Sequence, residues 1–250
     1  MHRYKLIIEY DGRPFVGWQR QDNGPTVQQA LEEAAGRVFS GDVSTIAAGR
    51  TDAGVHALGM CVHLDGAKEF SPFRLREAIN FHLKPTPIAV LDVEEVSPEF
   101  HARFSATARH YRYRFINRRA PLALEKGKAW GIGVPLDAGL MNEAAQVLVG
   151  KHDFTTFRAA QCQSASPVKS LSSIAVNRNA DAVNIEVSAP SFLHHQVRSI
   201  AGSLVEVGKG HQPVGWIADI LAAKDRHLCG MVAPAHGLYF LSADYPEDAG

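Results

Sequence analysis

The sequence predicts an α+β protein of two similar domains, each with a mainly antiparallel, mixed sheet flanked by helices. Three observations support this. The chain has 250 residues, enough for two modest cores. Strand-like and helix-like periodicities occur in both halves, without a strict strand–helix–strand rhythm. Acidic residues are absent between Glu99 and Glu125, and this change of composition puts the domain boundary near Phe104, giving domains 1–104 and 105–250.

Local patterns place the elements of the first domain. Thr26 and Gln29 form a capping box behind Pro25, and apolar residues then recur at helical spacing, so 26–39 is the clearest helix. Pro72, at a tolerated first helical position, begins a second helix that runs to about Leu83. The predicted strands are 3–10, 43–48, 60–65 and 88–96.

The second domain repeats this mixture of elements. The helices are predicted at about 137–149, 194–207 and 214–223. The strands are predicted at 109–116, 171–177, 182–188 and 237–245.

Composition and charge exclude several classes of protein. Lys and Arg together number 26, as do Asp and Glu, so no global field favours nucleic acid or membrane, and a polyanion site requires a local patch. The three cysteines are widely separated, which argues for a reducing compartment and against structural zinc. Because the charged N-terminal segment does not resemble a signal peptide and no apolar run approaches membrane-spanning length, we expect a cytoplasmic protein.

The segment "AGRTDAGVHALG" (48–59) is the first candidate for chemistry. Asp52 lies in a glycine-bounded loop at the end of a strand, two residues after Arg50. An ordinary interpretation is that Asp52 caps the amides of its own loop and pairs with Arg50. The alternative is a carboxylate kept ionised by the guanidinium, as a nucleophile or base must be. Small residues leave room for another molecule's backbone or a flat ring: Ala47, Ala48, Ala53, Ala57 and Gly59.

The segment "ARHYRYRFINRR" (108–119) is the second candidate. Strand alternation puts Arg112 and Arg114 on one face with His110, and the aromatic side chains on the other. This fits an ordinary half-buried strand, but the density of arginine also suits a phosphate backbone with a stacked base. Which of the arginines contact RNA is left open: Arg103, Arg109, Arg112, Arg114, Arg118 and Arg119.

Together these segments resemble the TruA family of tRNA pseudouridine synthases. The catalytic signature of that family is similar to "GRTDAGVHA" (49–57). Further similar blocks follow in order along nearly the whole chain: "EYDGRPFVGWQRQ" (9–21), "TVQQALEEA" (26–34), "FHARFSATARHYRYRF" (100–115), "DFTTFRAAQCQS" (153–164), "FLHHQVRSIAGSLVEVGKG" (192–210) and "GLYFLSADYP" (237–246). The resemblance implies a pseudouridine synthase fold with the active site in a cleft between the domains.

The resemblance also implies roles for five residues. Asp52 matches the essential aspartate, which attacks the ribose, attacks the base or removes a sugar proton. Arg50 matches the arginine that pairs with it and helps to displace the target base. Tyr111 matches the tyrosine that packs on the flipped uracil. Arg198 and Leu238 match residues that position the aspartate and line the base site.

By the same resemblance, the substrate is the anticodon stem-loop of tRNA at positions 38–40, and the protein is a homodimer in which tRNA crosses both subunits. The reaction is an isomerisation, so neither a cofactor nor a metal is expected. Two other classes remain open from the residues. One is a catalytically idle tRNA-binding protein of the same fold. The other is a carboxylate-based hydrolase of nucleosides, which requires a second carboxylate.

Overall fold

The computed structural model describes residues 1–246, so the last four residues of the predicted second domain lie outside it. The chain forms two compact units. The first comprises residues 1–109 and the C-terminal segment from Phe240 onward, and the second comprises residues 110–239. The C-terminal segment therefore belongs to the same unit as the N-terminal residues, although the two are far apart in sequence. Local sequence patterns cannot predict such a long-range association.

The strands and helices have the following bounds. The strands are β1 (His2–Tyr10), β2 (Thr45–Ala47), β3 (His56–Gly66), β4 (Ile88–Val96), β5 (Ala108–Asn117), β6 (Trp130–Ile132), β7 (Gly150–Asp153), β8 (Val168–Leu171), β9 (Ser173–Asn179), β10 (Ala182–Ala189) and β11 (Leu238–Asp244). The α-helices are α1 (Val27–Phe39), α2 (Pro72–Leu83), α3 (Ala138–Ala145), α4 (Gln196–Gly208) and α5 (Trp216–Ala223).

The first unit is organised around β1, which pairs antiparallel with β3 on one side and β4 on the other. The short strand β2 pairs antiparallel with residues 62–64 of β3, which also pair with β1. Helix α1 begins at its predicted cap, where the Thr26 hydroxyl accepts a hydrogen bond from the Gln29 amide at 3.2 Å. Its apolar face is buried, and the ring of Phe39 packs edge-on against that of Phe70 at 5.3 Å. Burial of this face fixes the helix on the sheet.

The second unit has β5, β10 and β9 in that order, with β9 and β10 antiparallel and β6 parallel to β5. Helix α4 is buried along most of its length. A Cβ atom on Gly202 of this helix would lie 1.7 Å from the carbonyl oxygen of Met231, so the chain after α5 packs directly on the helix backbone. The α+β class with mainly antiparallel pairing is therefore confirmed.

Most predicted elements are present, and the differences have local causes. The helix predicted at 137–149 begins after its cap Asp137 but tightens to a 3₁₀ turn at Gln146–Leu148. The strand predicted at 171–177 is divided at Ser172, with Leu171 at the end of β8 and the rest in β9. The strands β6 and β7 were not predicted, since runs of three and four residues carry little periodicity.

Among residues 1–246, no helix combines the length and apolar character needed to cross a bilayer.

A buried histidine in the first unit makes stability depend on pH. His63 of β3 is 4% exposed, and its Nδ1 accepts a hydrogen bond from the Ala102 amide at 3.1 Å. Burial, with smaller contributions from the charges of Arg3 and His101, lowers the pKa of His63 to about 4 from the ordinary 6.5. Folded His63 is therefore neutral at pH values where the same side chain in the unfolded chain is protonated.

As the pH falls from 6.5 to 4, the unfolded chain gains a proton on His63 that the folded chain does not bind. We therefore expect the free energy of unfolding to fall across this window, by an upper limit of about 3 kcal/mol from this group, and then to level off. Urea unfolding at several pH values measures it. His63→Asn, which keeps an acceptor for Ala102, should flatten the slope. An unchanged slope would contradict the assignment.

Candidate active site

The loop that carries Asp52 runs from Ala48 to Val55, between β2 and β3. The Ala48 amide donates to the Cys61 carbonyl at 2.8 Å, which anchors the start of the loop to β3. The Val55 amide donates to the Asp52 carbonyl at 3.1 Å, and Gly54 within this turn has a φ of 77°. A left-handed backbone at this position favours glycine. Asp52 therefore lies at the head of a tight, internally bonded turn.

A second segment, residues 10–18, fixes the middle of this loop. The Trp18 amide donates to the Thr51 carbonyl at 3.0 Å, and the hydroxyl groups of Tyr10 and Thr51 are hydrogen-bonded at 2.8 Å. Gly17 and Asp52 form an isolated antiparallel bridge. Backbone contacts thus hold the Asp52 main chain on both sides, and they connect the two most characteristic sequence blocks of the first unit.

Two glycines make this close approach possible. A Cβ atom on Gly12 would lie 2.0 Å from the carbonyl oxygen of Val55, and one on Gly17 would lie 2.9 Å from that of Thr51. Gly17 also has a φ of 121°. A side chain at either position would push residues 10–18 away from the loop. Sequence reasoning missed this role, although the spacing of the glycines in "YDGRPFVGW" was a usable signal.

The polar side chains of the loop occupy different environments. Asp52 is half-buried, and Arg50 is exposed. Within residues 1–246 the Arg50 side chain makes no ion pair, so the predicted pairing with Asp52 is not formed in this structure. His56 is 3% exposed, and its Nδ1 accepts a hydrogen bond from the Gly12 amide at 3.2 Å. His56 is therefore a structural partner of the segment that supports the loop.

The small residues around the loop mostly serve the packing of the chain itself. Ala47, Ala48 and Ala57 are buried, and a Cβ atom on Gly59 would lie 2.6 Å from the Leu241 carbonyl oxygen. The expectation that these four residues leave space for another molecule is wrong, because they are small in order to fit their own neighbours. Ala53, beside Asp52, is exposed and still fits that expectation.

Arg109 supports the start of the loop. Its Nε and Nη2 donate to the Ala48 carbonyl at 3.1 and 3.0 Å, and its Nη1 donates to the Ala106 carbonyl at 2.9 Å. Nη2 also donates to the carbonyl of Arg103. A guanidinium has a fixed fork of donors, so one side chain binds three carbonyl groups and joins two backbone segments. The structure thus gives Arg109 a structural role within the protein.

In the second unit, β5 carries Tyr111 at the outer end of its aromatic face. Tyr113 and Phe115 of that face are fully buried, with ring centroids 4.8 Å apart, as the strand alternation predicted. Tyr111 is half-buried, and its ring packs edge-on against Phe192 at 5.1 Å. The alternation therefore gives two core aromatics and one that is partly accessible.

Arg198 and Leu238 are placed by the same part of the second unit. Arg198 of α4 donates from Nε to the Ala233 carbonyl at 2.8 Å, and the Ala233 amide donates back to the Arg198 carbonyl at 3.1 Å. Burial lowers the pKa of His236, and the positive charge of Arg198 adds to this lowering. Leu238, 6% exposed, follows directly as the first residue of β11.

Three arginines of the segment 108–119 have acidic partners within the second unit. Arg112 donates to Glu186 at 2.6 and 2.8 Å, and Arg114 pairs with Glu125 at 3.2 Å. Arg118 lies 3.4 Å from Asp181. The segment is free of acids in sequence but not in space, so its local charge is smaller than the sequence indicated. Arg103 and Arg119 are exposed.

Comparison with known proteins identifies the family. The family model described as tRNA pseudouridine synthase matches residues 6–105 and 144–246. The chain is 57% identical over its full length to the full length of tRNA pseudouridine synthase A of Maricaulis maris. It is 56% identical over 98% of its length to all of the protein of that name from Rhodospirillum centenum. With the Rhizorhabdus wittichii protein of that name it shares 52% identity over its full length, covering 98% of that protein.

These matches span most of the chain and include the Asp52 loop and the segment that supports it. The chain belongs to the tRNA pseudouridine synthase family.

A Gly12→Ala substitution tests the close approach of the two segments. The added methyl group would overlap the Val55 carbonyl, so we expect residues 10–18 to be displaced and the Asp52 loop to loosen. The expected result is a loss of stability of about 1–3 kcal/mol, together with a lower rate of uridine isomerisation at saturating RNA. Gly41→Ala is the matched control, because a Cβ atom there has no neighbour within 4 Å. Equal behaviour of the two variants would refute the constraint.

Proposed function

We propose that this protein isomerises uridine to pseudouridine at positions 38–40 in the anticodon stem-loop of tRNA, with Asp52 as the essential carboxylate. The observation that carries this proposal is the backbone-fixed loop "GRTDAGVHA", which presents Asp52 half-exposed at the head of a turn. Membership of the tRNA pseudouridine synthase family supports it. The same support goes against the catalytically idle alternative.

The reaction conserves all atoms of the nucleotide except one exchanged proton. The bond between ribose C1′ and uracil N1 breaks, the base rotates, and a bond forms between C1′ and C5. The hydrogen on C5 then leaves as a proton, and N1 gains a proton. No electrons are gained or lost, so the proposal calls for no redox cofactor. Asp52 serves as a nucleophile toward the ribose or the base, or as a base toward a sugar proton.

The loop geometry suits either kind of role. A catalytic carboxylate must be held in place without being fully buried, since full burial raises its pKa and favours the neutral form. Asp52 is half-buried, and its main chain is fixed by the bridge to Gly17 and by the turn to Val55. The side chain of Arg50 extends into solvent from the same loop. We propose that it enters the RNA and displaces the target base.

Three residues of the second unit complete the proposed site. The target uridine must leave the helical stack before its glycosidic bond is accessible, which costs a few kcal/mol. We propose that the partly accessible ring of Tyr111 packs on the flipped uracil and offsets part of this cost. We also propose that Arg198 positions the carboxylate and that Leu238, which is 6% exposed, lines the base site.

The proposed assembly is a cytoplasmic homodimer that binds one tRNA across both subunits. The chain has no net charge, yet its proposed substrate is a polyanion. Two copies would place two sets of local arginines along one RNA, which increases the favourable electrostatic term without a change in net charge. The dimer thus reconciles a neutral chain with a nucleic-acid ligand.

Asp52→Asn tests the chemistry directly. With tRNA that carries tritium at uracil C5, we expect the unmodified protein to release label and the variant to release none, because an amide is neither a nucleophile nor a base here. Affinity for tRNA should be retained, since the two side chains have nearly the same shape. Asp42→Asn is the matched control on an exposed carboxylate and should release label normally. If Asp52→Asn releases label at an unchanged rate, Asp52 is not the essential carboxylate.

Tyr111→Ala tests the packing of the flipped base. Base–aromatic stacking is worth about 1–3 kcal/mol per base, so we expect isomerisation by this variant to fall by about one to two orders of magnitude. Single-turnover tritium release measures the effect. Tyr111→Phe keeps the aromatic ring and lacks the hydroxyl group, so this variant measures the contribution of the ring alone. An alanine variant that isomerises at the normal rate would remove Tyr111 from the site.

A further inference from the structure

An exposed aromatic side chain lies on a turn of the first unit that the proposed chemistry does not use. Phe104 is 75% exposed. One face of its ring is stacked on His101, with centroids 4.4 Å apart and planes 28° from parallel. The guanidinium of Arg103 lies 5.4 Å from the centre of the same ring. Although it has these two contacts, the Phe104 ring is largely exposed, and the three side chains form an aromatic surface with one cation over the ring, referred to below as the Phe104 platform.

The turn beneath the platform is held rigidly. The Ala102 amide donates to His63 at 3.1 Å, and the Ala102 carbonyl accepts from the Tyr245 hydroxyl at 2.7 Å. Within the turn, the Ser105 amide donates to the His101 carbonyl at 2.8 Å. The Nδ1 of His101 accepts from the amides of Arg103 and Phe104 at 3.2 and 3.1 Å, which fixes the orientation of the supporting imidazole. The exposed ring is thus presented in advance, and little ordering entropy is lost on binding.

One side chain connects the platform to the start of the Asp52 loop. The Nη2 of Arg109 donates both to the Arg103 carbonyl, within the platform turn, and to the Ala48 carbonyl, where the loop begins. The two carbonyl groups therefore share one donor nitrogen, which ties the platform turn to the residue where the Asp52 loop begins.

We propose that the Phe104 platform stacks an unpaired base of the RNA substrate, one that neighbours the target nucleotide. This inference rests on the proposed function. The occupant follows from the chemistry of the surface: a flat ring accepts the face of any base, and Arg103 beside it suits a phosphate or a second stacking contact. The exposed Arg50 of the nearby loop adds a second cation of the same kind. A surface for another protein chain would require a broader apolar patch.

Substitutions at Phe104 test the platform through RNA affinity. In an Asp52→Asn background, which separates binding from turnover, fluorescence anisotropy with a labelled anticodon stem-loop transcript gives Kd. We expect Phe104→Ala to weaken binding about tenfold, which is within the range for loss of one stacked base. Phe104→Trp should restore the affinity and Phe104→Leu should not, since leucine keeps apolar area but has no π face.

The matched control is Phe73→Ala. Phe73 is 66% exposed in the same unit and also has an arginine, Arg76, 5.4 Å from its ring centre. It lies on α2, and we expect the control to bind the transcript normally. Equal affinities of the two alanine variants would overturn the proposal. A leucine variant as good as tryptophan would also overturn it, as would a change of sedimentation coefficient in Phe104→Ala, which would place the ring between two copies of the chain.

Tritium release distinguishes failure of this proposal from failure of the proposed function. If the unsubstituted protein releases tritium and Phe104→Ala binds the transcript with normal affinity, only the platform proposal is wrong. If the unsubstituted protein releases no tritium but Phe104→Ala still binds the transcript about tenfold more weakly, the proposed isomerisation is wrong and the platform remains an RNA contact. No release and no effect at Phe104 would overturn both.

Discussion

The candidate site depends on the direct contact of two stretches of backbone, residues 10–18 and the Asp52 loop. Hydrogen bonds between main chains require donor and acceptor atoms about 3 Å apart, and at two positions here a Cβ atom would collide with a carbonyl oxygen of the loop. Gly12 and Gly17 remove that obstacle, so Trp18 and Gly17 bond to the loop at Thr51 and Asp52. The position of the carboxylate is consequently set by main-chain geometry on rigid elements, which is more precise than placement by a mobile side chain.

The charge of the arginine strand illustrates how a neutral protein can present a site for a polyanion. Arg112, Arg114 and Arg118 are paired with acids brought from distant positions by the fold. Partly exposed ion pairs of this kind are worth only about 0–1 kcal/mol each. Exchange of a carboxylate partner for a phosphate therefore sacrifices little stability.

Much of the fold was predictable, because local physics determines it. The cap at Thr26 and the proline at the start of α2 predicted the helix boundaries correctly. Strand alternation also predicted that Tyr113 and Phe115 are buried on the face opposite to Arg114. The short strands β6 and β7 escaped prediction, since runs of three and four residues have no measurable period. The roles of small residues were also misjudged: Gly59 is small to accommodate Leu241, a neighbour nearly two hundred positions away.

The sequence by itself determined the fold class, most element positions and the identity of the candidate residues. Periodicity and capping residues indicate local structure, and the segment "GRTDAGVHA" can be recognised without coordinates. Only the tertiary structure decided how those residues are held. It showed that Arg109 supports the loop, that Arg50 is not paired with Asp52, and that acids neutralise much of β5. The physical reason is that hydrogen bonds and ion pairs depend on distance in space, and folding brings together groups whose separation along the chain carries no trace of that contact.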